Sequence, residues 1–138
     1  MTADGREARI AKVSHLLDDK RLLGIQKQPG VLAVVAFYEG FPVKFMGSGD
    51  FEQVAALVED FLRAGERLAA DMKMGSFRQV ILETGKRKCI ITPYGDLYLC
   101  LLTKADTNLG LIRLAIRNLQ IEEEHERKMQ NQQPFLQL

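Results

Sequence analysis

The chain has 138 residues, of which 46% are hydrophobic and 27% charged, with a formal net charge of +1 at pH 7. This length fits one domain with a core of its own, and the balanced charge creates no strong field toward nucleic acid or an anionic membrane. The longest apolar runs fall short of the roughly 20 residues of a membrane span, and the polar N-terminus has no signal-peptide core, so we predict a cytoplasmic protein without a membrane span.

The first predicted element is a helix from Arg6 to Gln26. His15 lies on the polar side of this helix with no cysteine or second histidine near it, and we interpret it as a solvated surface residue. The apolar side of the helix is a one-sided stripe of Ile10, Val13, Leu16, Leu17 and Leu23.

Two strands are predicted after the Pro29-Gly30 turn. Val31 to Tyr38 is apolar at nearly every position, which is typical of a strand covered on both faces. Glu39-Gly40 is a two-residue hairpin signal. Phe41 to Met46 alternates and contains a proline, which indicates an edge strand.

The longest predicted helix runs from Asp50 to Met72 and begins with an Asp50–Gln53 capping box. The preceding Gly47-Ser48-Gly49 lacks any phosphate-loop spacing and is interpreted as a strand-to-helix turn. The apolar arc of the helix covers about half its circumference, wider than one sheet contact needs. This arc indicates either a helix that also contacts the same helix of a second subunit or one buried deeply in a monomer. The candidate interface residues on it are Val54, Leu57, Phe61, Ala64, Gly65 and Leu68.

Three more strands are predicted in the second half of the chain. Phe77 to Glu83 alternates, as a strand near a sheet edge does, and Lys88 to Thr92 follows a short basic turn. That turn has too few cations, and no interleaved aromatic residues, for a nucleic-acid site. Leu97 to Leu102 is entirely apolar, which predicts a strand buried on both faces.

The two cysteines lie on either side of the last hairpin, and they are too far apart in sequence for a metal or redox CxxC motif. If all of Pro93 to Asp96 is loop, Cys89 lies opposite Cys100; if only Gly95-Asp96 is loop, it does not. We interpret both as buried thiols, because a disulfide is disfavoured in a reducing compartment.

The final predicted helix begins near Leu109, and Asp106, Thr107 and Asn108 are all suitable N-cap residues. Its apolar stripe ends at Leu119. We predict that residues 121–138 form a charged helical extension followed by a flexible tail. His125 lies among glutamates, but consecutive side chains on a helix do not converge on one metal ion.

The order of these elements, with short hairpins and one helical crossover, predicts an α/β fold with a five-stranded, mostly antiparallel sheet. The chain resembles the Roadblock family, which comprises roadblock-type dynein light chains and bacterial MglB-like GTPase partners. The resemblance rests on Pro29-Gly30-Val31, the Glu39-Gly40 hairpin, the helix from Asp50, and Asp106-x-Asn108-Leu109-Gly110-Leu111.

This resemblance implies a single Roadblock-like domain over residues 1–120, a three-layer α/β/α sandwich with the long helix on one face and two helices on the other. It also implies a homodimer, in which the third strand pairs with its mate and the two long helices pack together. It adds Phe77, Gln79 and Ile81 to the interface candidates. The residues that match the family motif are Asp106, Asn108 and Gly110.

No catalytic constellation is recognisable, so we predict no enzyme, no cofactor and no metal site. The resemblance implies a homodimeric regulator or scaffold that binds a Ras-like small GTPase and stimulates its hydrolysis of GTP, as MglB-type partners do. Arg63 and Arg67 lie on the polar face of the long helix and are interpreted as surface residues, not as arginine fingers. The alternatives are a non-catalytic adaptor of a signalling or motility complex, and a small enzyme or ligand-binding domain with an apolar pocket.

Overall fold

The computed structural model describes residues 17–136. Its first helix, α1, covers Asp19–Gln26, and the Asp18 side chain accepts a hydrogen bond from the Arg21 amide at 2.8 Å. Asp18 has an extended backbone with ψ of 170°. The prediction of one continuous helix from Arg6 to Gln26 is therefore wrong, because a new helix is capped at Asp18. His15 and the rest of that prediction lie outside the described residues.

Residues 17–136 contain five strands, which are β1 (Val31–Tyr38), β2 (Phe41–Met46), β3 (Val80–Glu83), β4 (Arg87–Tyr94) and β5 (Leu97–Lys104). They form one sheet in the order β2-β1-β5-β4-β3, in which every neighbouring pair is antiparallel. The two strands predicted to be buried, β1 and β5, are neighbours inside the sheet, and the alternating strands β2 and β3 are its edges, as predicted.

The remaining helices are α2, Phe51–Asp71, and α3, Leu109–Leu136. They complete the predicted five-stranded antiparallel sheet with three helices. Asp50 is the N-cap of α2, and its side chain accepts from the Gln53 amide at 3.3 Å, in agreement with the predicted cap.

The chain divides after Thr107 into two compact units, the second of which contains α3. The helix runs to Leu136, so the predicted flexible tail is helical for most of its length. Within it, Glu123 is buried, and both of its carboxylate oxygens accept from Arg127 Nη2, at 2.6 and 2.8 Å. This charge-assisted pair explains how a carboxylate is accommodated away from water.

Two tight turns set the strand register. Glu39 and Gly40 both have positive φ, 49° and 84°, as a type I′ hairpin turn requires. The β4–β5 loop consists of Gly95 and Asp96 alone, because Tyr94 pairs with Leu97. The shorter of the two predicted loops is therefore the one that forms.

The third strand is shorter than predicted, because it begins at Val80 and not at Phe77. Phe77 and Gln79 precede it. The ring of Phe77 packs against the backbone of Gly65 in α2, so this segment follows the helix before it joins the sheet. This contact is the reason that the alternating pattern from Phe77 overestimates the strand.

Helix α2 covers one face of the sheet. Its buried side chains Ala55, Val58 and Leu62 form one core cluster with side chains that project from three neighbouring strands. Alternation along those strands places every second residue in this cluster. The sheet residues of the cluster are Val35, Phe37, Ile91 and Cys100.

Candidate functional site

The apolar arc of α2 is divided into a buried flank and an exposed flank. Ala55, Val58, Leu62 and Ala69 are buried. The other side of the arc, which we call the outer flank, consists of four large side chains that are each at least half exposed. Their exposed fractions are 54% for Leu57, 50% for Phe61, 57% for Leu68 and 63% for Met72. Such a row of exposed apolar side chains on one helix is typical of an interaction surface.

An apolar groove lies between α2 and strands β3, β4 and β5, with a cavity volume of about 110 Å³. Leu57 and Phe61 of the outer flank line it on the helix side, and Leu82 of β3 lines it on the sheet side. The sulfur atoms of Cys89 and Cys100 contribute to the same lining. The groove therefore continues the outer flank onto the sheet, and no charged side chain lines it.

Most of the predicted interface residues on α2 lie where a partner could contact them. Leu57, Phe61, Ala64 and Leu68 are exposed, and Val54 is half-buried in the groove wall. Gly65 is different, because the ring of Phe77 from the same chain occupies the space beside its α-carbon. A β-carbon there would collide with that ring. Gly65 and Phe77 therefore form a packing contact within one chain, and both remain half-buried.

The strand predicted to lie in the interface contains only one of its three candidate residues. Ile81 is half-buried within β3, whereas Gln79 precedes the strand. Of the two edges, β2 carries Pro42 and is irregular where it pairs with β1, and β3 has no proline. Because a proline and a bulge both obstruct strand addition, β3 is the better edge for pairing with another chain.

Sequence reasoning missed two contributors to this surface. Leu82, 49% exposed, projects into the groove, although its alternation alone assigns it only to a face. Met74 is also exposed, just beyond the C-terminal end of α2. The position of Leu82 in the groove could have been found from its pairing with Cys89 in the neighbouring strand. That pairing depends on the hairpin register and not on local periodicity.

The two thiols lie on adjacent strands but not in one pair. Cys89 is opposite Leu102, and Cys100 is opposite Ile91, so the cysteines are diagonal neighbours. Their sulfur atoms are nevertheless 3.4 Å apart. The hydrogen bond between the two sulfur atoms lowers the pKa of Cys89, an effect that burial partly opposes. The same hydrogen bond, together with burial, raises the pKa of Cys100.

The Roadblock/LC7 domain profile matches residues 17–103 of the chain, which is α1, all five strands and α2. The chain belongs to the Roadblock/LC7 family. The matched segment ends before the motif that begins at Asp106, so the motif lies outside the region that carries the assignment.

Relatives and solved structures agree with this assignment. The chain is 33% identical over 102 residues to the Methanocaldococcus jannaschii protein named uncharacterized protein MJ0310, covering 72% of this chain and 90% of that one. Among solved structures, a Roadblock/LC7 domain from Streptomyces avermitilis superposes with a TM-score of 0.67 at 17% identity, over 88% of this chain and 98% of that one. Myxococcus xanthus MglB gives 0.66 at 20% identity, over 88% and 90%. At these identities the structural likeness concerns the fold.

The motif residues of this Roadblock/LC7 protein serve the start of α3. Asn108 is the N-cap, since its Oδ1 accepts from the amides of Gly110 at 3.0 Å and Leu111 at 3.3 Å. Asp106 is exposed in the turn, and Thr107 is buried, with its carbonyl accepting from Lys88 Nζ at 3.2 Å. Of the three candidate caps, Asn108 is therefore the one used, and the motif has a structural role.

The charged groups of α2 are arranged on its polar face. Arg63 donates to Glu59 at 3.3 Å one turn earlier, which is a surface ion pair. Among residues 17–136, no group of three histidine, cysteine, aspartate or glutamate side chains could hold a metal ion. None of the helices in that range is both long and apolar enough to cross a membrane.

Proposed function

We propose that this Roadblock/LC7 protein is a cytoplasmic homodimeric regulator that binds a Ras-like small GTPase and stimulates its GTP hydrolysis. The outer flank of α2 is the observation that carries the dimer. The GTPase partner is supported by the resemblance to MglB-like proteins, at the level of family analogy.

The dimer is supported by the free energy gained when the exposed apolar side chains of the outer flank are buried. Burial of a leucine or phenylalanine contributes about 1.5–3 kcal/mol, and a two-fold interface counts each residue twice. The groove beside the flank offers a place for large side chains of the second subunit. Strand β3 is an edge strand of the sheet, and its residues line the same groove as the outer flank. In the proposed dimer, packing of the two α2 helices and pairing of the two β3 strands therefore occur at one two-fold axis.

Light scattering on Leu57→Glu tests the dimer. The substitution places a charge on the outer flank at a side chain that is 54% exposed in one chain, so the monomer fold tolerates it. Ala56→Glu is the matched control, because it adds the same residue one position earlier on the polar face, where Ala56 is exposed. We expect a wild-type dimer, a Leu57→Glu monomer and an Ala56→Glu dimer. A monomeric wild type would refute the dimer.

Single-turnover phosphate release tests the regulatory function. Ras-like GTPases of the source organism, each loaded with GTP, are mixed with wild-type protein, Leu57→Glu and Ala56→Glu. We expect at least one to bind and to release phosphate faster with wild type and Ala56→Glu than alone. Binding without acceleration would instead identify an adaptor, the alternative function, and absence of binding to every one would refute the GTPase partner.

Acceleration in this proposal comes from reshaping the GTPase's own switch regions. Arg63 is engaged with Glu59 on the polar face of α2, and Arg67 lies on the same face. An inserted arginine finger is worth about 10³–10⁵ in rate, so its loss is easily recognised. We expect Arg63→Ala and Arg67→Ala each to leave the acceleration within about tenfold of wild type. A loss of acceleration of about 10³-fold or more on substitution of one arginine would instead identify that residue as an arginine finger.

A further inference from the structure

We propose that Cys89 and Cys100 form a dithiol site that a hydroperoxide oxidises to a disulfide within one chain. The site stands apart from GTPase regulation. It is defined by two thiols whose sulfur atoms are 3.4 Å apart, on two residues that line the groove beside α2.

The first support is proximity. Both thiols are free, and they project from adjacent strands β4 and β5 onto the face that α2 covers. A disulfide needs the sulfurs to approach from 3.4 Å to about 2.05 Å. The two residues are diagonal neighbours in the pairing of β4 with β5, and their side chains already point toward each other, since the sulfurs are within hydrogen-bond distance.

The second support is that the two thiols differ in environment. Cys89 is half-buried, in the strand next to the edge, while Cys100 is buried on the central strand β5. A hydrogen bond joins the two sulfur atoms, and it lowers the pKa of Cys89 and raises that of Cys100. Cys89 is therefore the attacking thiol and Cys100 the resolving thiol.

The third support is access. Cys89 and Cys100 are both among the residues that line the groove, and Leu57, Phe61 and Leu82 in its walls are 54%, 50% and 49% exposed. The groove therefore offers a small oxidant a path toward the half-buried Cys89.

The chemistry balances in two steps. The Cys89 thiolate attacks one oxygen of the hydroperoxide, the O–O bond breaks, and the other oxygen leaves with a proton as water or an alcohol, which gives a sulfenic acid. The Cys100 sulfur then attacks the Cys89 sulfur, the S–S bond forms, and the S–O bond breaks. The hydroxyl group leaves with the Cys100 proton as water. The two thiols are oxidised and the peroxide is reduced.

Hydrogen peroxide treatment of the full chain tests the site, with free-thiol titration and intact mass as readouts. We expect wild type to lose both thiols and two hydrogen atoms without a covalent dimer on a non-reducing gel. Cys100→Ser should gain one oxygen atom on Cys89, trapped by a sulfenic-acid reagent such as dimedone. Cys89→Ser should keep its remaining thiol, because Cys100 is buried. Circular dichroism verifies that each variant is folded.

The proposed dimer covers the groove, so the same treatment is applied to Leu57→Glu. If no internal disulfide forms in either wild type or folded Leu57→Glu, the dithiol proposal is overturned, whatever the mass in solution. A covalent dimer in place of the internal bond also overturns it. Disulfide formation in either protein supports it. The ratio of the oxidation rates of wild type and Leu57→Glu tests only the dimer. We expect a dimeric wild type to be oxidised more slowly than Leu57→Glu.

Discussion

The ring of Phe77 packs directly on the backbone of Gly65, and no space remains between them for a β-carbon. A glycine at the centre of an apolar arc would otherwise suggest close approach of a second helix. Here it allows the segment after α2 to turn back onto the helix before β3 begins. The absence of a side chain thus serves the fold of one chain.

Gly65→Ala should lower stability and leave the oligomeric state unchanged. Overpacking typically costs about 1–3 kcal/mol, and the better helix propensity of alanine returns roughly 1 kcal/mol, so we expect a net loss of up to about 2 kcal/mol. Urea unfolding provides the measurement. In the double variant Gly65→Ala/Phe77→Leu, the smaller side chain should relieve part of the loss. If the double variant loses as much stability as Gly65→Ala and Phe77→Leu lose in sum, the contact between the two residues is contradicted.

Leu68→Glu should weaken the proposed dimer from a second position, three turns along the outer flank from Leu57. Because Leu68 is 57% exposed in one chain, its burial in a dimer contributes about 1–1.7 kcal/mol per subunit. The two-fold axis doubles this, so the dissociation constant should rise at least about 20-fold. Ala70→Glu is the matched control, since it adds the same charge near the same end of α2 at an exposed position. Sedimentation at several concentrations measures both. Similar weakening by both variants would point to charge alone and not to the flank.

Asn108→Ala should destabilise α3 by about 1 kcal/mol, because two backbone amides lose their acceptor. Asn108→Asp keeps an oxygen at the same place and should retain most of the stability. Asp106→Ala, at an exposed turn position of the same motif, should stay within about 0.5 kcal/mol of wild type. Thermal unfolding followed at the helical circular-dichroism band compares the three. A larger loss from Asp106→Ala would move the cap to that residue.

Tyr98 should make stability fall at high pH. Burial raises the pKa of Tyr98, with smaller contributions from the carboxylates of Glu66 and Glu59. Because the folded value lies above the unfolded one, the contribution to stability is fully present below about pH 10 and is lost as the pH rises through the folded value. Urea unfolding between about pH 9 and 11.5 should show this slope.

Tyr98→Phe removes the ionisable group and retains a ring that can stack on Phe37, 6.0 Å away between ring centroids. The difference in the free energy of unfolding between wild type and variant should therefore change with pH in the alkaline range only. A difference that is constant with pH would mean that the phenol ionises equally easily in the folded and unfolded chain.

Local patterns in the sequence were sufficient for the elements and their places in the sheet. The apolar runs of β1 and β5 and the alternation of β2 identified inner and edge strands, because side-chain direction alternates with every residue of a strand. The Asp50 cap and the Glu39-Gly40 turn were likewise readable, since each depends on residues at most a few positions apart. The continuous helix through Leu17 and Asp18 was wrong, because its apolar spacing continues across a residue that caps a new helix.

What only the tertiary structure decided depends on contacts between residues far apart in the chain. The width of the α2 arc was visible in sequence, but which flank the sheet buries follows from how the helix lies on β1 and β4. The choice of a two-residue β4–β5 loop made Cys89 and Cys100 diagonal, and side-chain geometry then brought their sulfurs to 3.4 Å. Phe77 lies outside β3, because its ring packs on Gly65, which is 12 residues earlier in the chain. Periodicity reports the direction of a side chain from its own backbone, whereas its neighbour is set by the packing of other elements.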